Sequence, residues 1–104
     1  MAAYHSDSAD KLYRAILTLQ TPEECRCFFE DLCTIRELLD MAQRFEAASL
    51  LDQKQSYQTI ARSAKISTAT IGRVSKCLNY GAGGYRLALD RLKEEDEKHE
   101  ADNP

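Results

Sequence analysis

SYQTIARSAKISTATIGRVSKCL, residues 56–78, holds two apolar patterns of helical period separated by a short break. Ile60, Ala61 and Ala64 share one helix face, and Ile71, Val74 and Leu78 share a second. The spacing predicts helices over 56–64 and 68–78, broken at Lys65-Ile66-Ser67, with Ile66 plugging the corner. Ala61 is small where two crossing helices must approach closely. Ser67 can cap the second helix, and Thr70 follows at its third position. A supporting helix, a three-residue turn and a following helix make a helix-turn-helix. The turn position that usually holds glycine is Lys65, and a left-handed backbone there costs about 1–2 kcal/mol.

The second helix leaves Thr68, Ala69, Gly72, Arg73, Ser75 and Lys76 on its outer side. Small side chains at a helix N-terminus let the helix sit deep in a major groove, where hydroxyls and methyls meet base edges. Cations and hydroxyls around the rim suit phosphates. These six residues, with Gln58 on the supporting helix, are the candidate contacts to double-stranded DNA.

The net charge of −3 argues against such a partner, but the charge is divided in blocks. Residues 1–53 carry five basic and ten acidic side chains. Residues 54–93 carry eight basic ones (Lys54, Arg62, Lys65, Arg73, Lys76, Arg86, Arg91, Lys93) against Asp90 alone. From Lys54 to Tyr85 no acid occurs, so the helix-turn-helix sits in a locally positive field. Phosphate neutralisation by such a block supplies non-specific affinity for DNA. The competing reading is an ordinary solvated helix face. Residues 94–104 return to one basic against six acidic residues, an acidic C-terminal tail or fraying helix end.

Outward from this segment the pattern stays helical. Ala9, Leu12, Tyr13, Ile16, Leu17 and Leu19 form one apolar stripe. Thr21-Pro22-Glu23-Glu24 is a start signal: a hydroxyl cap, a proline with no N–H to waste, and a glutamate able to reach back. The helix it opens turns Phe28, Phe29 and Leu32 to a core. Thr34-Ile35-Arg36-Glu37 repeats the capping-box spacing and opens a third helix over about 35–51. Leu38, Leu39, Met41, Ala42, Phe45, Ala47, Ala48, Leu50 and Leu51 cover most of that helix's circumference. A helix apolar all round must be buried all round, and a chain of 104 residues has too little interior to enclose it. Burial by a second chain follows, giving an intertwined homodimer of two-fold symmetry. Gly81-Ala82-Gly83-Gly84 breaks the chain before a last helix that begins near Tyr85 and shows Ala88, Leu89 and Leu92 on one side. The expected class is all-α: one helical domain over 1–93, the helix-turn-helix at 56–78, and the acidic tail over 94–104.

Other chemistries find little footing. Cys25 and Cys27 point about 200° apart on a helix and cannot clamp one ion. With Cys33 they are expected as small buried hydrophobes. His5 and His99 are not placed to complete a metal set or a nucleophile–base pair, so neither a metal site nor an enzyme is expected. The opening residues lack a signal peptide's basic start and apolar stretch, and no run reaches membrane-spanning length. A cytoplasmic protein with reduced cysteines, including Cys77, is the expectation.

The stretches LQTPEE, LCTIRELLDMAQRF and SYQTIA…STATIGRVSKCLNYG resemble the bacterial tryptophan-repressor-like proteins, in particular their Gram-positive branch. The resemblance runs from about Leu12 to Leu92. It implies six helices, an intertwined dimer, and a transcriptional regulator that binds a palindromic operator through Thr68, Ala69 and Gly72. In the ligand-binding type, two arginines sandwich the indole and hold the carboxylate of the amino acid. They match Arg44 and Arg73, a helping threonine matches Thr34, and Thr70 belongs to the same possible effector pocket. The other roles open to them are an ion pair with a neighbouring acid for Arg44 and a phosphate contact for Arg73. Two positions depart from the pattern: Val74 stands where that type has glycine, and Cys77 where it has serine. L-tryptophan is therefore not the expected effector, and no cofactor is expected. Two functions remain, a dimeric DNA-binding repressor and a helical dimer that binds a protein through the same basic face.

Overall fold

The computed structural model describes residues 6–102, and among them every regular element is an α-helix. In chain order these are α1 (Asp7–Ile16), α2 (Pro22–Leu32), α3 (Ile35–Asp52), α4 (Tyr57–Ala64), α5 (Thr68–Tyr80) and α6 (Gly84–Asp102). The all-α, six-helix expectation holds among the described residues. His5 lies outside them.

Local chemistry accounts for most of the boundaries. Ser6 caps α1, accepting the Ala9 N–H at 3.0 Å. Thr21 accepts the Glu24 N–H at 3.1 Å with Pro22 at the start of α2, and Glu24 reaches back one residue further than a standard box, to the Gln20 N–H. Thr34 and Glu37 make the reciprocal box in full, at 3.1 and 2.8 Å. Those bonds hold the Glu37 carboxyl below the usual carboxylate range. At the other end of α3, Lys54 turns left-handed at φ 66°, and the Lys54 and Gln55 N–H groups fold back onto the Leu51 and Leu50 carbonyls. This is a Schellman closure made with a lysine where glycine is usual.

The chain divides into two compact units, the first ending at Met41 and the second beginning at Ala42. The first unit contains α1, α2 and the opening turns of α3. Phe28 and Phe29 meet edge to face there, with ring centroids 5.5 Å apart, but no residue of α1 or α2 is buried. Leu17 is 83% exposed, and Tyr13 and Leu32 are also open. Of the α2 face expected to reach a core, Phe28 and Phe29 are half-buried and Leu32 is exposed within this one chain. The same holds for the cysteines: Cys25 and Cys27 are exposed and Cys33 is half-buried, because no second apolar layer covers α2.

The second unit holds the core: Ala47 and Ala48 of α3, Ile60 of α4, Ile66 of the turn, Ile71 and Val74 of α5, and Leu89 of α6. Phe45, Leu50, Leu51, Ala61, Ala64, Leu78 and Tyr85 pack around it, the Phe45 and Tyr85 rings stacked at 6.5 Å. Of α3, expected to be buried all round, only Ala47 and Ala48 are buried in the single chain, while Ile35 is 80% exposed. On α6 only Leu89 of the expected face is buried; Ala88 and Leu92 are exposed. The same helix runs on through the acidic stretch to Asp102.

Candidate functional site

The helix-turn-helix is α4, the turn and α5, all within the second unit. Ile60 and Ile71 are fully buried, Val74 is 1% exposed, and Ile66 closes the corner as expected. α5 extends two residues past Leu78, to Tyr80, with the Asn79 side-chain amide donating to the Ser75 carbonyl at 2.9 Å. Gly81 ends it: a Cβ there would lie 2.4 Å from the Cys77 carbonyl oxygen, so no larger residue fits that exit.

Both helices open on the same device. Ser56 accepts the Thr59 N–H at 3.1 Å and donates its own hydroxyl to Thr59 Oγ1 at 2.9 Å. Ser67 does the same with Thr70, at 3.2 and 3.0 Å. Lys65 adopts φ 57°, ψ 45°, so the left-handed turn is kept without glycine.

Gln58, Thr68, Ala69, Arg73 and Lys76 are exposed, and Gly72 is half-buried. The helical period sets Thr68, Ala69, Gly72 and Lys76 on one face, with Arg73 at its edge. Ser75 sits at the opposite edge, half-buried, where its carbonyl and hydroxyl receive the Asn79 amide at 2.9 and 3.4 Å. Tyr57, which the sequence reading passed over, belongs beside this face. Its Cε2 lies 4.0 Å from where a Cβ on Gly72 would be. The signal available was a bare glycine one helix away from a tyrosine at a helix start.

The positive block is smaller than the sequence count. Arg86 binds Asp52 through two bonds, at 2.7 and 2.9 Å, and also Asp90 at 2.8 Å. Lys93 adds a third contact to Asp52 at 2.6 Å. The Arg86 and Lys93 hydrogen bonds hold the Asp52 carboxyl well below the carboxylate range against some desolvation. Arg86 and Lys93 thus fasten α6 to the end of α3, and they do not count among the unpaired cations. Among the described residues, Lys54, Arg62, Lys65, Arg73, Lys76 and Arg91 form no ion pair.

Of the possible effector-pocket residues, Thr34, Arg44, Arg73 and Cys77 are exposed, Thr70 is half-buried and Val74 is buried. Arg44 and Arg73 have no ion pair among the described residues, so the acid partner considered for Arg44 is not seen. A cleft of about 550 Å³ in the second unit lies elsewhere, against Leu51, Asp52, Lys54, Ser75, Asn79 and Arg86. No described helix is long and apolar enough to cross a membrane.

The profile of the family described as Trp repressor protein matches residues 7–93. The uncharacterized protein YerC of Bacillus subtilis is 51% identical over 85 residues, which are 82% of each chain. Among solved structures, a TrpR-like protein from Eubacterium eligens is 44% identical, with TM-score 0.82 over 85% of this chain and 91% of that one. A candidate Trp repressor from Staphylococcus aureus is 42% identical, with TM-score 0.82 over 86% of this chain and 89% of its own. A helix-turn-helix built on α4 and α5, six helices in this order and a profile spanning nearly all of them agree: the chain belongs to the Trp repressor family, a family of helix-turn-helix regulators and not of enzymes.

Proposed function

We propose that the protein is a transcriptional regulator that binds a palindromic DNA operator as a homodimer, with α5 in the major groove, and that L-tryptophan is not its effector. One observation carries the reading. The inner face of α5 is locked by Ile71 and Val74, while Thr68, Ala69, Arg73 and Lys76 stand exposed on a segment without acids. A rigid helix with a small, hydroxylated and cationic outer face is what base-edge and phosphate contact require. Thr68, Ala69 and Gly72 then meet bases, and Gln58, Arg73, Ser75 and Lys76 serve the phosphates at the rim.

The dimer is supported by the apolar surface the single chain leaves open, with Leu17 and Ile35 at its extremes. A second copy is the simplest cover for helices that have an apolar side and no buried residue. The body over 1–93 makes the dimer and carries the DNA contacts, and the segment over 94–104 is an acidic extension.

Against tryptophan stands Val74. In the family's ligand-binding type a glycine leaves room there, whereas Val74 is packed into the core with Ile60 and Ile71. Forcing further carbons into a filled site costs about 1–3 kcal/mol. Cys77 in place of a serine offers the amino group a weak partner, at a further cost of about 1–3 kcal/mol. Together these lower affinity by more than tenfold. Val74 supplies from within the packing that a ligand would otherwise add, which leaves the dimer able to bind its operator unliganded.

Selection of bound sites from a random duplex pool, with and without amino acids, tests the reading. A two-fold symmetric site should emerge without any amino acid. Lys76→Ala should weaken all sequences alike and flatten the log–log salt slope by about 0.9, and Thr68→Ala should change the preferred sequence. Absence of salt-dependent binding to any duplex would favour a protein partner for the basic face. Saturable L-tryptophan binding that strengthens the operator complex would refute the effector argument.

A further inference from the structure

We propose that the Tyr57 hydroxyl is an additional DNA contact, donating a hydrogen bond to a backbone phosphate at the edge of the groove that α5 occupies. This rests on the DNA-binding reading above and assigns a residue that reading does not use. Tyr57 is the first residue of α4 and is 41% exposed. Its ring edge comes within 4.0 Å of a Cβ position on Gly72. A methyl group there would just touch the ring. Gly72 lies one turn from both Thr68 and Lys76, so the ring borders the outer face of the recognition helix. The hydroxyl has no hydrogen-bond partner among the described residues. No carboxylate occurs between Lys54 and Tyr85 to take that proton or to repel a phosphate.

Position selects phosphate over base. The supporting helix of a helix-turn-helix crosses the DNA backbone while the second helix enters the groove, and tyrosine hydroxyls are regular phosphate donors. The ring stands beside Gly72 before binding, close enough to the recognition helix to present its hydroxyl at the rim of that helix's outer face. The bond is also neutral on the protein side. It releases no counterion, so it adds affinity without adding to the salt dependence. That separates it from every lysine or arginine contact.

The test is Tyr57→Phe, which keeps the ring against Gly72 and removes only the hydroxyl, with DNA affinity measured across a salt series. The expected result is about three- to tenfold weaker binding to both random duplex and selected operator. The log–log salt slope and the thermal midpoint should both be unchanged. Wild-type affinity in the Phe variant would overturn the assignment and leave Tyr57 a packing residue only. A changed salt slope, or a loss confined to the selected operator, would also overturn it. Failure of the wild-type protein to bind any duplex would instead refute the DNA-binding reading on which the assignment rests.

Discussion

Replacing Lys65 by glycine should make the protein more stable although it removes a side chain. Lys65 sits at φ 57°, ψ 45° between α4 and α5, and its side chain makes no hydrogen bond or ion pair among the described residues. An L-residue in that region pays about 1–2 kcal/mol for the approach of Cβ to its neighbouring carbonyl. Glycine removes that penalty but has more backbone freedom to lose on folding, about 0.5–1 kcal/mol. The difference is a net gain centred on about 0.75 kcal/mol, within a range of about 0–1.5 kcal/mol. Lys65→Ala keeps the Cβ and loses the charge, so it should show no gain. Denaturant unfolding of the three proteins must be run at one protein concentration, because dimer stability depends on it. Both variants should change the DNA salt slope equally, by about 0.9 if the ammonium touches one phosphate. A glycine variant no more stable than the alanine variant would refute the claim that the turn stores backbone strain.

Light scattering at low micromolar concentration should give twice the chain mass of 11.8 kDa. A folded monomer there would end the dimer reading, and Phe45→Asp should unfold the protein, since Phe45 packs on both the core and Tyr85. Asp52→Asn should destabilise the protein near neutrality. The Asp52 carboxyl titrates lower folded than unfolded, so its contribution is complete above the ordinary carboxylate range and shrinks as pH falls below about 4. The two proteins should therefore converge in acid unfolding curves, and a gap of constant size down to low pH would refute the role given to the Arg86 and Lys93 bonds.

The legible parts of this fold are those whose causes lie within a turn or two of chain. Thr21-Pro22 and Thr34–Glu37 announce their helices because a cap needs only neighbours. The Ile60, Ile66 and Ile71 set reads as a corner because its members are close in sequence. Lys65 stands where such turns usually have glycine, and it is left-handed. Distance defeats this kind of reading. The partners of Asp52 lie 34 and 41 residues away, so Arg86 and Lys93 looked like free cations. Apolar periodicity is likewise silent about what covers a face. It places Leu17 on an apolar stripe and turns Leu32 to a core, and within one chain both are surface. For the site, Thr68, Ala69 and Lys76 were accessible to helix geometry, whereas Tyr57 was not. Its place beside Gly72 depends on the angle at which α4 and α5 cross.

The helix starts carry one more regularity, and it bears on function. α1, α2 and α3 each have acids in the first turn: Asp7 and Asp10, Glu23 and Glu24, and Glu37. Such acids stabilise a helix by about 0.3–1 kcal/mol each by facing its positive end. α4, α5 and α6 have none, and what sets α4 and α5 apart is that their serine caps pair with threonine hydroxyls where Thr34 pairs with a glutamate. A helix start that must meet phosphate gains from leaving its positive end unneutralised, at some loss of intrinsic stability. Thr70→Glu should therefore separate the two properties. It converts the Ser67 cap into a charged box like that of Thr34 and Glu37, and should raise folding stability by about 0.3–1 kcal/mol. It also brings a negative charge to the start of the recognition helix. Repulsion of about 1 kcal/mol from each nearby phosphate should weaken DNA binding at least tenfold at low salt, and less at high salt. Thr70→Gln is the control for size at this half-buried position, since it can make the same back-bond without charge and should bind DNA more tightly than the glutamate variant. Equal DNA affinities for the two variants across the salt series would mean that the start of α5 does not face phosphate, and the hydroxyl caps would then need a different cause.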